Sequence, residues 1–459
     1  LASGNLTKNC IGEATAEQLV ELHIMSESQP VESSILTRAR TSKWPAVLMG
    51  DAINTVLAEA YEPWWKTVPV GSLQPGKVLA TRILARSDVP RSRTSIMDGY
   101  AVQALDGVGI RNMVGSSVAG KPFEGVLQAN QCVRISTGAI LPQGADAVIM
   151  IEQTRLVQHN GVEETEIEIC SAVEVGQNIR EPGSDVTQGE VLLEKGCILG
   201  PAEIGILIGS GHKAIPIYRK PKVCVMSTGN ELVDSNDDYD ELRDGQIIDT
   251  NRPQLLALFQ SFGFKQVDAG IARDSREHLI ESIEVALSCA PILVTSGSVS
   301  MGEKDLLKSV LQDHFKFKIH FGRVMMKPGL PATFATGTFN EEKKFIFAVP
   351  GNPVSSWVCS LLFAIPFLRK VGGHTAHHHT EIRVQLTENI KLDARPEYRR
   401  AKLVANEGMP LAITTGLQRS SRLMSTLGSN LLLILPASNP TQPELPAGSV
   451  VSALVVGRI

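Results

Sequence analysis

Ile292-Leu-Val-Thr-Ser-Gly-Ser-Val-Ser-Met-Gly-Glu-Lys-Asp305 is the stretch around which the chain is arranged. It opens as a short apolar run, Ile292-Leu293-Val294. It turns small and polar through Gly297, Ser298, Ser300 and Gly302, and ends on Asp305. Leu306-Leu307-Lys308 then takes up a helical pattern. A buried parallel strand delivers a phosphate-handling loop to a helix N-terminus in this way. Small residues let backbone N–H groups approach an anion, and a carboxylate at the end of the loop can hold a divalent cation against it. A plain strand–turn–helix link has the same texture, so the stretch points to an α/β unit and leaves its chemistry open.

The flanks repeat the unit. Val223-Cys-Val-Met226 reads as a buried strand running into the polar turn 228–231. Asn251 is placed to cap a helix with Pro253 in its first turn and Leu255, Leu256, Leu258 and Phe259 on its inner side. A strand over 267–271 ends at Arg273-Asp274, and 277–287 forms a helix. Beyond the opening stretch come a strand near 317–320, then Val324-Met-Met-Lys-Pro-Gly329, then Phe345-Ile-Phe-Ala-Val349 leading into Pro350-Gly-Asn-Pro-Val-Ser355 and a long apolar helix. Alternating strands and helices over 219–372 imply a mostly parallel sheet covered on both sides. Ligands of such sheets sit beyond the C-terminal strand ends, where 228–231, Asp274, 296–305 and 351–355 fall.

The rest of the chain differs in texture. Residues 1–45 are polar and without period, as in a flexible linker or tail. A helix follows over 47–60. Residues 69–189 are β-rich, with Asn160-Gly161 as a hairpin turn before the alternating Glu164-Thr-Glu-Ile-Glu-Ile169. The β texture continues to about 218, interrupted by one helical segment, 201–208, after Gly200. From 373 to 459 the pattern is a small β-barrel or sandwich, with strands at 381–386, 431–435 and 450–456. The β-rich arm is expected to be too thin to bury its own core, which predicts a homodimer.

With 459 residues, 43% hydrophobic and 20% charged, the composition is that of a multidomain globular protein. A net charge of −4 argues against nucleic acid as a partner. The longest apolar stretch, 358–368, contains Pro366 and is too short for a transmembrane segment; no signal-peptide core opens the chain. Seven scattered cysteines without close pairs suit reduced thiols and a cytoplasmic protein, any membrane association coming through partners.

Asp274 and Asp305, each after a strand end of one sheet, could share a Mg²⁺ with a phosphate, or could cap their helices. Residues 350–355 build an oxyanion site from Gly351, Pro353 and the Ser355 hydroxyl at a helix start, or only a tight turn. Lys327 would add charge, or is a surface lysine. No P-loop motif is present. His374, His377, His378 and His379 lack cysteine partners and read as a solvated linker.

Together these stretches resemble the molybdenum insertases of molybdenum-cofactor synthesis, the family that includes the E domain of gephyrin. The resemblance rests on Ser95-Ile-Met-Asp-Gly-Tyr-Ala-Val102, Ser136-Thr-Gly-Ala-Ile-Leu-Pro142, Gly144-Ala-Asp-Ala-Val148 and Ser227-Thr-Gly-Asn-Glu-Leu-Val233. It continues through 295–305, Gly322-Arg-Val-Met-Met-Lys-Pro-Gly-Leu-Pro331, 350–355 and Ser420-Ser-Arg-Leu-Met-Ser425, covering roughly residues 46–459 in family order. It implies a molybdopterin-binding α/β domain (219–372), an elongated unit (46–68 and 190–218), a β unit (69–189), a C-terminal β-barrel (373–459), and a homodimer whose cleft both protomers line.

The implied reaction takes adenylylated molybdopterin and molybdate, with Mg²⁺, and releases AMP. By the same resemblance Asp274, Asp305 and Glu231 are catalytic, Asp274 and Asp305 hold the metal, and Lys327, Ser355, Arg400 and Ser425 bind molybdate. Asp98, Thr137, Asp185, Ser296, Gly297, Ser300, Pro350, Gly351, Asn352, Pro353 and Arg422 bind the pterin nucleotide. An upstream adenylyltransferase domain or partner is implied too. The alternative function is a gephyrin-type scaffold for a receptor or cytoskeletal partner.

Departures are Ser298 in place of a second glycine, Leu330, the run Arg91-Ser-Arg-Thr94, and Leu427-Gly428. A side chain at 298 is expected to crowd a backbone that needs positive φ. For Arg400 the plainer reading is a surface cation, one of two adjacent arginines facing opposite sides of a strand.

Overall fold

The structure is a computed structural model that describes residues 44–234, 242–299 and 306–458. Its centre is a six-stranded sheet formed by β9 (Lys222–Thr228), β10 (Lys265–Ala272), β11 (Ile292–Ser296), β12 (Lys318–Phe321), β13 (Thr333–Phe339) and β14 (Glu342–Val349). The order is β10-β9-β11-β14-β13-β12. The first four run parallel, and β13 and β12 continue antiparallel. β13 had no counterpart in the sequence reading. It pairs with β14 through a hairpin in which Asn340 and Glu341 both have positive φ (51° and 63°), the geometry of a tight turn matched to strand twist.

Both faces are covered, which is why the parallel strands read as unbroken apolar runs. Val223, Val225, Ile292 and Val294 pack under α3 (Asn251–Ser261) and α6 (Pro353–Val371). Cys224, Met226 and Leu293 pack under α4 (Arg276–Cys289) and the segment that begins with α5 (Leu306–Ser309). α1 (Met49–Ala58) also belongs here, since Ala52 and Val56 enter the first of these cores.

α6 corrects two expectations. It is long and apolar enough to cross a membrane by length and composition, but 83% of its most apolar window is buried inside the fold. It runs through Pro366 because residues Ser360–Ala364 widen into a π turn. In that register the Leu361 carbonyl would look to the missing N–H of Pro366; the His379 Nε2–H bonds it instead, at 2.8 Å. His379 is therefore no solvated linker residue: it is 7% exposed, edge-on to Phe262, and burial lowers its pKa to about 4.

The arm is a second six-stranded sheet: β2 (Gly99–Val102), β3 (Gly109–Ser117), β4 (Gln131–Ile135), β5 (Ala147–Met150), β6 (Thr154–His159) and β7 (Glu164–Ile169), ordered β5-β2-β4-β3-β7-β6. β6 and β7 form the hairpin expected at Asn160-Gly161. The arm does bury its own core, contrary to expectation. Ala101, Val133 and Val148 fill one face, and Tyr100, Ile149 and Ile167 the other. Val70, Leu79 and Ile83 instead cluster with Leu193, Leu199, Leu207, Ile215 and Ile217, beside α2 (Pro201–Gly209) and the pair β1 (Trp65–Pro69) and β8 (Ala214–Tyr218). Residues 70–83 thus side with 190–218 and not with the arm sheet.

The C-terminal part is a closed five-stranded barrel ordered β15-β17-β16-β18-β19. Its strands are β15 (Glu381–Leu386), β16 (Glu397–Val404), β17 (Leu411–Thr414), β18 (Leu431–Leu435) and β19 (Val450–Val455). Alternate residues such as Val384, Leu431, Leu433 and Ala453 fill it.

Candidate active site

Beyond the C-terminal ends of β9, β11 and β14 lies a cleft of about 1250 Å³. Of the residues singled out from the sequence, Glu231, Asp274, Ser296, Gly297, Pro350, Gly351, Asn352 and Pro353 line it. Ser300 and Asp305 lie outside the described residues.

Local geometry explains the lining. The Gly297 N–H bonds the Val349 carbonyl, and a Cβ at Gly297 (φ +101°) would stand 2.3 Å from the Thr228 carbonyl oxygen. Gly229 plays the same part on β9, since a Cβ there would meet the Glu231 carboxylate at 2.6 Å. Loop 229–232 is held by the Arg273 guanidinium, which donates to the Leu232 carbonyl at 2.8 Å. Asp274 does not cap α4. Ser275 does, its hydroxyl accepting from the His278 N–H. The Asp274 carboxylate remains exposed at the cleft, accepts the Ser298 hydroxyl at 2.5 Å, and its backbone N–H meets Asn230 Oδ1 at 3.0 Å. Ser298 sits at φ +49°, as expected, but its side chain points to Asp274 and does not clash.

Sequence reasoning missed part of the cleft wall, Asp249 and Asn251, and the Arg252 that braces it. Asn251 is not a cap: Thr250 holds that position, and the Asn251 amide donates to Ser296 Oγ (2.6 Å) and the Gly351 carbonyl (2.7 Å). Asp249, 2% exposed, accepts from the Ser227 hydroxyl and from the Asn251 and Arg252 N–H groups. Buried Arg252 ties Asp249 to Asp234 and Asp268. The Asp-Thr-Asn-Arg run, following paired Ile247-Ile248, was the available signal.

A second cluster forms where the barrel meets the α/β part. The Lys327 N–H bonds the Pro396 carbonyl and the Tyr398 N–H bonds the Lys327 carbonyl, so β16 docks on the 326–329 loop. Lys327 is no isolated surface lysine, because its ammonium pairs with Asp393 (3.2 Å) and Glu397 (3.4 Å). Burial works to raise the Asp393 pKa, but hydrogen bonds from Arg395 and Lys327 leave it lowered.

Arg400 is 1% exposed and is not a surface cation. It donates to Ser425 Oγ at 2.9 Å and to the Arg419 carbonyl at 3.4 Å. Its Nε–H has no partner, and no carboxylate pairs with it among the described residues. Burial lowers its pKa to about 10. The turn that carries Ser425 reaches α6, where the Val354 N–H bonds the Ser420 carbonyl and the Asn352 amide bonds Ser420 Oγ. Ser355, 3% exposed, lies in that same first turn of α6. Ser421 lines the cleft, and the Arg422 carbonyl accepts the Ser425 hydroxyl at 2.7 Å.

The arm residues stand apart from the cleft lining. Asp98 accepts the Thr137 N–H at 2.7 Å and its hydroxyl at 3.2 Å, and Asp185 pairs with Arg180 at 3.3 Å.

For Mg²⁺ the donor set fits in kind. Asp274 and Glu231 supply carboxylates and Asn230 an amide oxygen on one rim, and this ion is commonly held by one or two carboxylates together with substrate phosphates. Among the described residues no cluster of three His, Cys, Asp or Glu forms a self-sufficient cage.

Fold and cleft define a class: a doubly covered α/β domain with a cleft beyond its strand ends, carrying a β arm and a closed barrel. Residues 48–211 match the MoeA N-terminal region (domain I and II), 224–370 a probable molybdopterin binding domain, and 383–456 the MoeA C-terminal region (domain IV). The chain belongs to the molybdopterin molybdenumtransferase (MoeA) family. It is 33% identical over 367 residues to the molybdopterin molybdenumtransferase of Haemophilus influenzae, covering 78% of this chain and 87% of that protein. It is 37% identical over 429 residues to gephyrin of Dictyostelium discoideum, covering 84% of this chain. The chain spans only 58% of that relative's length. Among solved structures, the molybdopterin biosynthesis MoeA protein of Pyrococcus horikosii superposes with a TM-score of 0.76 at 27% identity, over 90% of this chain and 100% of that one.

Proposed function

We propose that this protein inserts molybdenum from molybdate into adenylylated molybdopterin, with release of AMP, in molybdenum cofactor biosynthesis. The observation that carries this is the buried guanidinium of Arg400, which has an unpartnered Nε–H and a serine hydroxyl in hand, on the turn next to the cleft wall. Molybdate is a dianion with acceptor oxygens only, and such a group suits donors that already lack a counter-charge.

In this account the loops 296–298 and 350–353 receive the pyrophosphate, the Ser298 N–H and the start of α6 being the backbone donors, since the Gly297 N–H is bonded to the Val349 carbonyl. Asp274 and Glu231 would hold Mg²⁺, and Asp305, outside the described residues, is the further carboxylate that the sequence offers; such an ion would neutralise the pyrophosphate and polarise its phosphorus. Lys327, Ser355, Arg400 and Ser425 hold molybdate, and Arg422 lies on the same turn. The two dithiolene sulfurs displace one oxygen of molybdate, which leaves as water with the two thiol protons; an oxygen of molybdate or of water attacks the phosphoanhydride, its P–O bond breaks, and AMP leaves while molybdenum stays on the dithiolene.

Asp98, Thr137 and Asp185 stand on the arm. In this account they serve the cleft of the partner in a homodimer, so that each site is lined by two chains. The protein works in the cytoplasm, beside an adenylyltransferase that supplies the nucleotide. The scaffold alternative gains no separate observation. The test is AMP release from adenylylated molybdopterin upon addition of molybdate. Release that needs both molybdate and Mg²⁺ supports the proposal, and its absence refutes it.

A further inference from the structure

Three strand-end segments of the central sheet meet at one side chain. Asn251, 9% exposed, opens α3 after β9. Its single amide nitrogen donates to Ser296 Oγ at the end of β11 and to the Gly351 carbonyl beyond β14. The amide orientation is not ambiguous, because a carbonyl can only accept, so the nitrogen must face Gly351. Both hydrogens of that nitrogen are thereby used.

Asn251 is itself aimed from behind. Its backbone N–H bonds Asp249 Oδ1 at 3.1 Å. Asp249 is fixed in turn by Ser227 (2.9 Å) and by Arg252 Nε (3.1 Å). The two loops that Asn251 joins lie close together, since a Cβ at Gly351 would stand 3.5 Å from the Gly297 Cα. Nothing else described joins them side chain to backbone except a long contact from the Ser296 hydroxyl to the Pro350 carbonyl, at 3.5 Å.

We infer that Asn251 is a positioning residue that sets the spacing between the two anion loops of the cleft. Asn251 lines the cleft, but both hydrogens of its amide nitrogen are committed and its amide oxygen can only accept, so it has no side-chain donor left for an anion. It holds the Ser298 N–H and the first turn of α6 at the separation that one pyrophosphate spans. This rests on the proposed function only for what is bound; the clamp itself is a statement about the free protein.

Loss of a buried donor leaves two acceptors unsatisfied, which corresponds to about ten- to a hundredfold in a local opening equilibrium. The experiment is amide hydrogen exchange on the full chain without ligand, for wild type, Asn251→Ala and Ser296→Ala, together with thermal midpoints. Asn251→Ala is expected to speed exchange about tenfold or more over 297–299 and 350–354, with β9 and β14 unchanged. Ser296→Ala, which removes one arm only, is expected to loosen 297–299 and spare 350–354.

In the AMP-release assay Asn251→Ala is expected to lower kcat at least about tenfold with little change in KM, because the loops still bind but no longer align. Unchanged loop exchange in both variants would overturn the inference. So would a rise spread evenly through the sheet with a matching fall in thermal midpoint, since that marks a merely structural residue. If the wild type releases no AMP while the loops still loosen as described, the clamp stands and the proposed reaction falls.

Discussion

The cleft and the seam beside it are built by opposite means. The cleft rim is open and its order comes from backbone: Gly229 and Gly297, whose N–H groups are tied to carbonyls of neighbouring strands, Ala272 and Val349. The seam is closed and its order comes from buried charge: Arg400 at 1% exposure, and Glu397 at 1% exposure shared by Lys327 and Arg399. A rim of backbone donors can accept one polyanion after another without rearranging. A buried cation without a carboxylate partner carries a standing desolvation cost that an oxyanion of the right size offsets. On the proposed function, the nucleotide belongs to the rim and molybdate to the seam.

The largest effect is expected on the rim. Asp274→Asn should keep the fold, since the carboxylate is exposed and Ser275 does the capping, yet lower AMP release about a hundred- to a thousandfold. Single-turnover quench-flow measures this; a loss under threefold would remove Asp274 from the chemistry.

The connector that follows α6 should respond to acid. Burial lowers the pKa of His379 and of His374 to about 4. The unfolded chain binds these protons from about pH 6.5 downwards and the native protein only near 4, so stability falls as pH drops through that window. Each histidine accounts for about 3 kcal/mol if its shift is fully realised. His379→Gln can still donate to the Leu361 carbonyl and should flatten the pH dependence of urea unfolding between 6.5 and 4. An unchanged slope would contradict the buried neutral imidazole.

Glu397→Gln takes a carboxylate from between Lys327 and Arg399. Lys327 is 28% exposed, so solvent limits the loss to about 1–3 kcal/mol, read from denaturant midpoints. The smallest difference separates two changes at one rim residue. Ser298→Gly and Ser298→Ala both lose the bond to Asp274, but only glycine relieves φ +49°. Glycine should therefore be about 1 kcal/mol more stable than alanine, with equal loss of activity. Equal stability would mean that the turn is not strained.

The same contrast explains what could be read in advance. The rim is local: Ser296-Gly297 and Pro350-Gly-Asn-Pro353 carry their geometry in neighbouring residues, so strand, turn and helix start are visible in the chain. The seam is assembled from positions far apart, Lys327 against Pro396 and Tyr398, and Arg400 against Ser425. Nothing local marks Lys327 as paired or Arg400 as buried, and a composition-based reading leaves both on the surface. Asn251 was misread for a related reason. Asparagine before a helix usually serves its own backbone, and only the fold shows that it serves two other strands. β13 was missed because Thr333-Phe-Ala-Thr-Gly-Thr-Phe339 is broken by glycine and small residues, and its pairing with β14 supplies the order.

The measurement that bears most directly on the division between rim and seam is the molybdate dependence of AMP release for Arg400→Ala beside Arg399→Ala, with nucleotide affinity measured separately. Arg399 sits on the same strand, paired to Glu397 at 3.2 Å. The account predicts that Arg400→Ala raises the molybdate requirement about ten- to a hundredfold and leaves binding of the pterin nucleotide nearly intact, while Arg399→Ala moves neither by more than about threefold. Equal effects of the two substitutions, or a parallel loss of nucleotide binding in Arg400→Ala, would contradict it.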